Sequence, residues 1–422
     1  MRKGEKKGCC HSLKLLITLN NTHLRVGNTN AKEPMKIIHT SDWHLGHLLY
    51  GADRGVEQAA MMDQLAAILQ EEMPDALVVS GDIFHTSQPS ASIQTFFTES
   101  VMRLRAAVPG MTIVIIAGNH DSASRHEVTK VLWETQGVHM LGSVDKNHLE
   151  DLIVEVPGKG FVVAVPYLNE RSIPDGFYQS ILNLAASRNG DNLPVVMAAH
   201  LTVSGSDFTG HEDVRDVTVG GIDGVDLAAL GSGYDYLALG HIHRPQTLSG
   251  SDNRARYSGT PIAVSFDEAY SHSVSVVEIA AHGDRPVIRT VDIQNPRPLV
   301  TLPVKGFAPW DEVKALLEQF PKDKPAYLRL NVEVDDYLPK SAQEDARALL
   351  KDTPVMFTYI NARRKGTATG TRNGVTVAEF QAMSPLAVAE MYARDSGLSF
   401  GEELKDLFRE AEARVEEEKR NN

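Results

Sequence analysis

Five short apolar runs are spread along this chain, and each one is followed by residues of a type that binds metal ions. Each run is rich in Val, Ile and Leu and is bounded by Gly, Asp or Asn, a pattern that predicts a buried β-strand. The runs occupy residues 35–40, 76–80, 113–117, 195–199 and 236–239. Because the strands of one sheet bring their ends to a common edge, we expect the residues that follow to converge on one edge of one sheet.

The residues that follow these strands are carboxylates, an amide and imidazoles. Asp42-x-His44 and Gly81-Asp82 are each weak signals alone, since a turn with a surface side chain explains them equally well. The complete ordered set is a strong signal and predicts a metal centre. The seven candidate ligands are Asp42, His44, Asp82, Asn119, His200, His241 and His243.

Between the strands, the apolar residues recur with the period of a helix. Residues 56–70 place Met62, Leu65 and Leu69 on one face, and 96–104 and 124–133 are further helix candidates. This alternation predicts a layered α/β domain. The later strand candidates, at 151–156, 161–165, 256–257 and 274–279, lack long helices between them. They predict either one mixed sheet or two sheets packed face to face, with helices outside.

A Pro-bearing boundary at 295–298 introduces a different arrangement. Strands at 300–304, 327–334 and 355–360 alternate with helices at 310–320 and 342–350, which predicts a compact α+β module. The linker-like segment 367–374 leads to two helices with capping signals at Ser384 and Ser399. These helices either cover the protein's own core or dock a partner.

Composition narrows the possibilities further. The chain has 422 residues, a net charge of −13 and no apolar run long enough to span a membrane. The acidic balance argues against a broadly basic, nucleic-acid-coating surface but allows a local basic groove. The only cysteines, Cys9 and Cys10, exclude a disulfide framework and fit a reducing cytosol. We expect residues 1–34 to be a disordered extension, with Met35 as the natural start.

The candidate ligands suit a two-metal hydrolytic site. Carboxylate, amide and imidazole without thiolate fit Mn²⁺, Fe²⁺ or Zn²⁺, with Mn²⁺ the first choice. Gly81 permits a tight turn that would let Asp82 reach between two ions. Two ions about 3.5–4 Å apart could clamp an in-line phosphoryl displacement and activate a bridging water. His120 is one residue out of register with Asn119 and is placed to act as a general acid.

The motifs resemble those of the calcineurin-like metallophosphoesterases: Asp-x-His, Gly-Asp, Gly-Asn-His-Asp, a lone His, then Gly-His-x-His. More closely, the chain is similar to the SbcD family of bacterial nuclease subunits from residue 35 to its end. The α+β module and the two terminal helices are similar to that family by layout rather than by motif. The segments that carry the closer resemblance are 40–46, 214–216, 239–244, 257–261 and 265–268.

The resemblance implies a four-layer sandwich of two mixed β-sheets flanked by helices, at 35–295. A capping domain at 296–370 and C-terminal helices at 371–422 that bind an ATPase would follow. It implies one ion held by Asp42, His44, Asp82 and His243, and a second held by Asp82, Asn119, His200 and His241. His120 would be the catalytic histidine.

The same resemblance implies a cytoplasmic, Mn²⁺-dependent exonuclease and endonuclease that processes DNA ends, hairpins and single strands in recombination, replication and repair. Its partners would be a second copy of itself and an SbcC-like ATPase of the SMC family, in a heterotetramer. One departure from the family pattern is His85, where Asp is usual, which could alter metal affinity or preference.

Two other functions remain open from the residues alone. A phosphatase or cyclic-nucleotide phosphodiesterase would use the same metal ligands, whereas a scaffold with a decayed site is disfavoured by the complete ligand set. Trp43 in the first motif, the α+β module and the terminal helices favour the nuclease. Candidate phosphate contacts are Arg125, Arg363, Arg364 and Lys365, each equally explained as solvated surface charge.

Overall fold

A computed structural model describes residues 33–169, 173–210 and 224–365, together with scattered positions between 386 and 409. The predictions for the N-terminal extension with Cys9 and Cys10, for segment 214–216, for the linker 367–374 and for most of the terminal helices lie outside these residues. At the described positions between 386 and 390 and between 402 and 409, the backbone is largely helical. No helix in the described parts of the chain is both long enough and apolar enough to span a bilayer.

Fourteen strands and four α-helices precede residue 295 in the described chain. The helices are α1 (Gly55–Glu72), α2 (Ala91–Ala107), α3 (Ala123–Glu134) and α4 (Phe177–Arg188). The first strands are β1 (Met35–Thr40), β2 (Leu48–Leu49), β3 (Ala52–Asp53), β4 (Ala76–Ser80), β5 (Thr112–Ile116), β6 (Val138–Leu141) and β7 (Ile153–Val156). They are followed by β8 (Gly160–Val165), β9 (Val195–His200), β10 (Tyr236–Gly240), β11 (Gln246–Thr247), β12 (Ala255–Tyr257), β13 (Ser273–Ile279) and β14 (Val287–Asp292).

The strands form two six-stranded mixed sheets. The first has the order β14-β13-β1-β4-β5-β6, and the second has the order β11-β12-β10-β9-β8-β7. In the first sheet β1, β4, β5 and β6 are parallel, with β13 antiparallel to β1. In the second sheet β8, β9, β10 and β12 are parallel, and β7 and β11 are antiparallel edge strands.

Alternate side chains of the first sheet enter two separate cores. Ile37 and Val78 pack against the second sheet, whereas Ile38 and Val79 pack under α1 and α2. On the far side of the second sheet, Ile181 and Ala185 of α4 belong to the same buried cluster as Ile37 and Val78. Burying a Val, Leu or Ile side chain contributes about 1.5–3 kcal/mol, so these faces fix the layer order. The predicted sandwich of two mixed sheets flanked by helices is confirmed.

The expectation of one sheet is wrong. The strands that precede the candidate ligands divide between the sheets, with β1, β4 and β5 in the first and β9 and β10 in the second. Each of these strands is buried on both faces, and burial of this kind does not reveal which strands are hydrogen-bonded to each other. The residues converge all the same, because the two sheets pack face to face and their ligand-bearing strand ends lie together.

The C-terminal module, defined here as residues 299–364, has its own core. Its elements are β15 (Leu299–Leu302), α5 (Trp310–Gln319), β16 (Ala326–Val334), α6 (Ala342–Leu350) and β17 (Val355–Arg364). The three strands are parallel with β16 in the centre, and Leu328 and Leu330 pack against Val313 of α5 and Ala346 of α6. β17 extends four residues beyond the predicted strand, so Arg363 and Arg364 lie within it.

Candidate metal centre

The seven candidate ligands all lie at the carboxyl ends of five strands. Asp42 and His44 follow β1, Asp82 follows β4, Asn119 follows β5, His200 ends β9, and His241 and His243 follow β10. Glycines beside these residues allow the strand ends to approach each other closely. A Cβ atom on Gly118 would lie 2.1 Å from Asp82 Oδ1, and one on Gly240 would lie 1.8 Å from the Ser80 carbonyl oxygen. Larger residues at these positions would push the strand ends apart.

Four of these residues have left-handed backbones. The φ angles are +54° for Asp42, +44° for His44, +51° for Asp82 and +97° for His241. Non-glycine residues seldom adopt such angles, and they cluster at functional sites where the surroundings hold them. Here the Asp42 amide donates to the Gly81 carbonyl oxygen at 2.9 Å, and the His44 amide donates to that of Asp82 at 3.0 Å.

The first group of ligand atoms surrounds His44 and His243. Their Nε2 atoms lie 3.1 Å apart, and His44 Nε2 is 3.7 Å from Asp82 Oδ2. Asp42, His44 and His243 each offer one ligand atom within 4.8 Å of the other two. All three side chains are buried, so the set is shielded from bulk water.

The second group surrounds the Asn119 amide oxygen. His200 Nε2 and His241 Nδ1 each lie 3.0 Å from Asn119 Oδ1, and His200 Nε2 is 3.5 Å from Asp82 Oδ1. Asp82 therefore turns one carboxylate oxygen toward each group. This is the arrangement that a carboxylate bridging two ions requires.

Hydrogen bonds on the far side of two imidazoles fix their ring orientation. His200 Nδ1 donates to the Ser80 carbonyl oxygen at 2.8 Å, and His243 Nδ1 donates to Glu268 Oε1 at 3.0 Å. With the proton held at Nδ1, each Nε2 presents a lone pair to the centre of the site. Such partners are typical of metal-binding histidines.

Burial controls the charge of the site. It raises the pKa of the Asp42 carboxyl to about 7, against the opposing effect of His200. It also raises the pKa of Asp82, with Asp121 adding to the shift. Burial lowers the pKa of His243 to about 3 and lowers the pKa of His44 and His200 as well, so the imidazoles are neutral at pH 7.

These residues fit divalent cations on their own chemistry. Two buried carboxylates are costly to ionise together in this apolar setting, and a cation between them would offset that cost. Neutral imidazoles, carboxylates and an amide are the ligands that borderline divalent ions prefer. The geometry therefore supports divalent metal binding.

His120 lies beside the two ligand groups, and 22% of its side chain is exposed. Its Nδ1 donates to the His85 carbonyl oxygen at 2.9 Å, and its Nε2 lies 4.0 Å from Asp82 Oδ2. The backbone amide of His120 donates to Asp82 Oδ1 at 2.9 Å. The imidazole thus has one fixed edge and presents Nε2 toward the space beside the two ligand groups.

His85, which stands where the family pattern usually has Asp, lies next to His120. Its ring stacks on that of His120 with centroids 5.8 Å apart. His44, His85 and His120 each offer a nitrogen within 4.8 Å of the others, a third potential ligand group.

Other supporting residues were not predicted. The Asp121 carboxylate accepts backbone hydrogen bonds from Ile83, Phe84 and Gly118, and so ties the second and third motifs together. Glu268 lies within one of the segments that carry the resemblance, but the sequence gives no sign of its contact with His243. For Asp121 the available signal was its place in the Gly118-Asn119-His120-Asp121 motif.

The predicted phosphate contacts are distributed over separate elements. Arg125 is exposed on α3, whereas Arg363, Arg364 and Lys365 lie at the end of β17 or just after it. Arg363 packs 4.1 Å from the Phe307 ring centroid and pairs with Glu333 at 3.5 Å. Trp43 is fully buried, and its Nε1 donates to Thr40 Oγ1, so this residue is part of the core.

Sequence comparisons identify the family. The profile of the calcineurin-like phosphoesterases matches residues 35–245, and the profile described as the type 5 capsule protein repressor C-terminal domain matches residues 295–395. The SbcD component of the SbcCD nuclease from Bacillus subtilis is 35% identical over 326 residues, which is 72% of this chain and 80% of the relative. This chain belongs to the SbcD family of calcineurin-like phosphoesterases.

Two further SbcD proteins extend the likeness. The SbcD protein from Rhodobacter capsulatus is 31% identical, covering 71% of this chain and 81% of the relative. The SbcD protein from Escherichia coli K12 is 28% identical, covering 85% of this chain and 92% of the relative. The predicted resemblance to SbcD is confirmed, and with it the expectation of a metallophosphoesterase.

Proposed function

We propose that this SbcD-family protein hydrolyses DNA phosphodiester bonds at the strand-end site, with Mn²⁺ as its native metal. The observation that carries the proposal is the position of Asp82, which turns one oxygen toward each of two ligand groups. Its relatives are named as nuclease subunits, and the site provides what a two-ion phosphodiester hydrolase needs. The protein is thus a nuclease rather than a decayed scaffold.

We assign the ligands to two ions that share Asp82. Asp42, His44 and His243 would complete the first ion site, and Asn119, His200 and His241 would complete the second. Bound ions supply Lewis acidity and activate water at neutral pH. The hydrogen bonds from His200 to Ser80 and from His243 to Glu268 keep the ligand lone pairs aimed at those positions.

We assign proton transfer to His120. Its Nδ1–H is anchored on the His85 carbonyl oxygen, so a second proton on the ring would sit at Nε2, which faces the site. From Nε2 that proton can pass to the departing oxygen of a cleaved phosphodiester. Its partial exposure allows the ring to exchange that proton with water.

We further propose a partner for the C-terminal region and a domain division. The name SbcCD describes the relatives as one component of a complex, which supports an SbcC-like ATPase partner for residues 371–422. The chain carries no Gly-x-x-x-x-Gly-Lys-Ser/Thr motif, so nucleotide dependence would come from that partner. The nuclease domain would span 35–295 and the capping domain 296–370.

A homodimer is supported by the outer face of α3. Val128, Val131 and Leu132 are 82%, 72% and 71% exposed and lie at the spacing of one helical face. An apolar stripe of this kind on a surface helix is costly in water and is typical of a protein interface. A second copy would present the same stripe, as a two-fold contact requires.

The test is a parallel assay of three substrates. The purified chain is incubated with Mn²⁺ and linear duplex DNA, a DNA hairpin or a small chromogenic phosphodiester, alongside the Asp82→Ala variant. We expect metal-dependent degradation of the DNA substrates that is lost in the variant. Turnover of the small ester with intact DNA would instead favour the alternative, a phosphatase or cyclic-nucleotide phosphodiesterase.

A further inference from the structure

The buried carboxylate of Glu268 connects a metal-ligand candidate to the loop that follows residue 262. Glu268 Oε1 accepts the hydrogen bond from His243 Nδ1 at 3.0 Å, and Glu268 Oε2 accepts one from Thr260 Oγ1 at 2.8 Å. We call residues 263–268 the coupling loop. Because Glu268 is its last residue, a displacement of the loop would move the group that orients the His243 ring.

The polar contacts of the C-terminal module with this loop come from Arg329. Arg329 of β16 donates to Asp267 Oδ1 at 2.7 Å and to the Phe266 carbonyl oxygen at 3.4 Å. Its guanidinium also lies 5.2 Å from the Phe266 ring centroid. Only 11% of the Arg329 side chain is exposed, so this contact is better shielded from solvent than an ordinary surface ion pair.

The same module also touches the segment that follows His44. Tyr327 of β16 packs with Leu49 and Phe266 in a small buried cluster, and its hydroxyl donates to the Asp53 carbonyl oxygen at 3.3 Å. The Tyr50 and Tyr359 rings lie 4.2 Å apart. Leu49, Tyr50 and Asp53 belong to the hairpin of β2 and β3, a few residues after His44.

The module therefore contacts the hairpin that follows His44 and the loop whose last residue, Glu268, orients His243. These are the histidines whose Nε2 atoms face each other at 3.1 Å in the first ligand group. The second group is supported differently: the Ser80 carbonyl oxygen of β4 orients His200, and the side chains of His200 and His241 meet at Asn119. A shift of the module would act on the first group and leave the supports of the second in place.

We propose that the C-terminal module sets the geometry of the first ion site through the Arg329–Asp267 contact, the coupling loop and Glu268. Arg329 and Asp267 are then positioning residues, since neither touches a ligand directly. The proposal rests on the two-ion function above. It predicts that the affinity of the first ion depends on the position of the module against the coupling loop. The affinity of the second ion should not depend on it.

The test is Mn²⁺ titration of the full chain by calorimetry, with Arg329→Gln as the variant. We expect the first ion to bind roughly tenfold more weakly, in line with the loss of other groups that orient ligands, and the second ion to bind as before. His243→Gln and Asn119→Ala identify which binding step belongs to which site. Lys314→Gln is the matched control, because it removes a cation–carboxylate pair within the same module, with Asp345.

Two further variants keep the outcome decisive. Asp267→Asn tests the same contact from the other side if Arg329→Gln fails to fold, and the double exchange Asp267→Arg with Arg329→Asp should restore much of the first ion's affinity. Binding of both ions at wild-type affinity in Arg329→Gln, or equal weakening of both, would overturn the proposal. A wild-type chain that binds fewer than two ions would instead contradict the two-ion function itself.

Discussion

At the scale of single residues, the candidate ligands occupy backbone conformations that the rest of the molecule must sustain. A non-glycine residue in the left-handed region costs about 1–3 kcal/mol, and Asp42, His44, Asp82 and His241 all have positive φ angles. Hydrogen bonds between the first two motifs stabilise these turns, including that from the His44 amide to the Asp82 carbonyl oxygen. These backbone hydrogen bonds therefore help to hold the candidate ligands in place.

His120→Gln should separate chemistry from metal binding. We expect the cleavage rate to fall by about 10²–10⁴-fold, because Gln cannot transfer a proton from the position of Nε2. Mn²⁺ affinity should change little, since His120 is outside both ligand groups as we assign them. Initial rates and calorimetry on the same samples measure the two effects, with His148→Gln as an exposed control. Equal loss of rate and affinity would make His120 a ligand or a structural residue.

Gly240→Ala should disturb the fold through one methyl group. The added Cβ would lie 1.8 Å from the Ser80 carbonyl oxygen, the acceptor that orients His200. We expect the free energy of unfolding to fall by about 3 kcal/mol, at the upper end for an overpacked site. Urea unfolding measures it. Gly190→Ala is the comparison, because nothing lies within 4 Å of its Cβ position. Equal stability of the two variants would show that the strand ends can move apart.

At the scale of elements, the sequence predicts strands well where both faces are apolar. The bounds of β1 and β4 agree with the prediction. β9 and β10 each extend one residue further, and β5 is shifted by one residue toward the N-terminus. β14 was missed because its side chains are largely exposed and carry no apolar period. The division of strands between two sheets was also hidden, since pairing depends on contacts between segments far apart in the chain.

Val131→Asp tests the apolar face of α3. We expect the wild-type chain to sediment as a dimer and the variant as a monomer, because a carboxylate would be buried without a partner at the centre of the contact. Val287→Asp, the same exchange at an exposed valine of β14, should leave the dimer intact. A wild-type chain that is monomeric at micromolar concentration would refute this use of α3.

At the scale of the whole molecule, the order of motifs indicates the family, but the links between regions come only from the structure. The seven ligand candidates and His120 follow from their positions after predicted strands. The Glu268–His243 and Arg329–Asp267 contacts do not, because single acids and arginines have no local pattern that names their partner. Long-range side-chain contacts of this kind are set by tertiary packing.

Removing residues 384–422 should separate partner binding from catalysis. We expect the shortened chain to retain Mn²⁺-dependent nuclease activity and its melting temperature, and to lose binding to an SbcC-like ATPase. Pull-down with the ATPase and thermal unfolding measure the two properties. A large drop in melting temperature would show that the terminal helices cover the protein's own core instead.

The most direct test of the central claim is anomalous diffraction from crystals grown with Mn²⁺. The account predicts two peaks about 3.5–4 Å apart, one on each side of the Asp82 carboxylate. Asp42, His44 and His243 should surround one peak, and Asn119, His200 and His241 should surround the other. A single peak, or a pair that does not share Asp82, would contradict it.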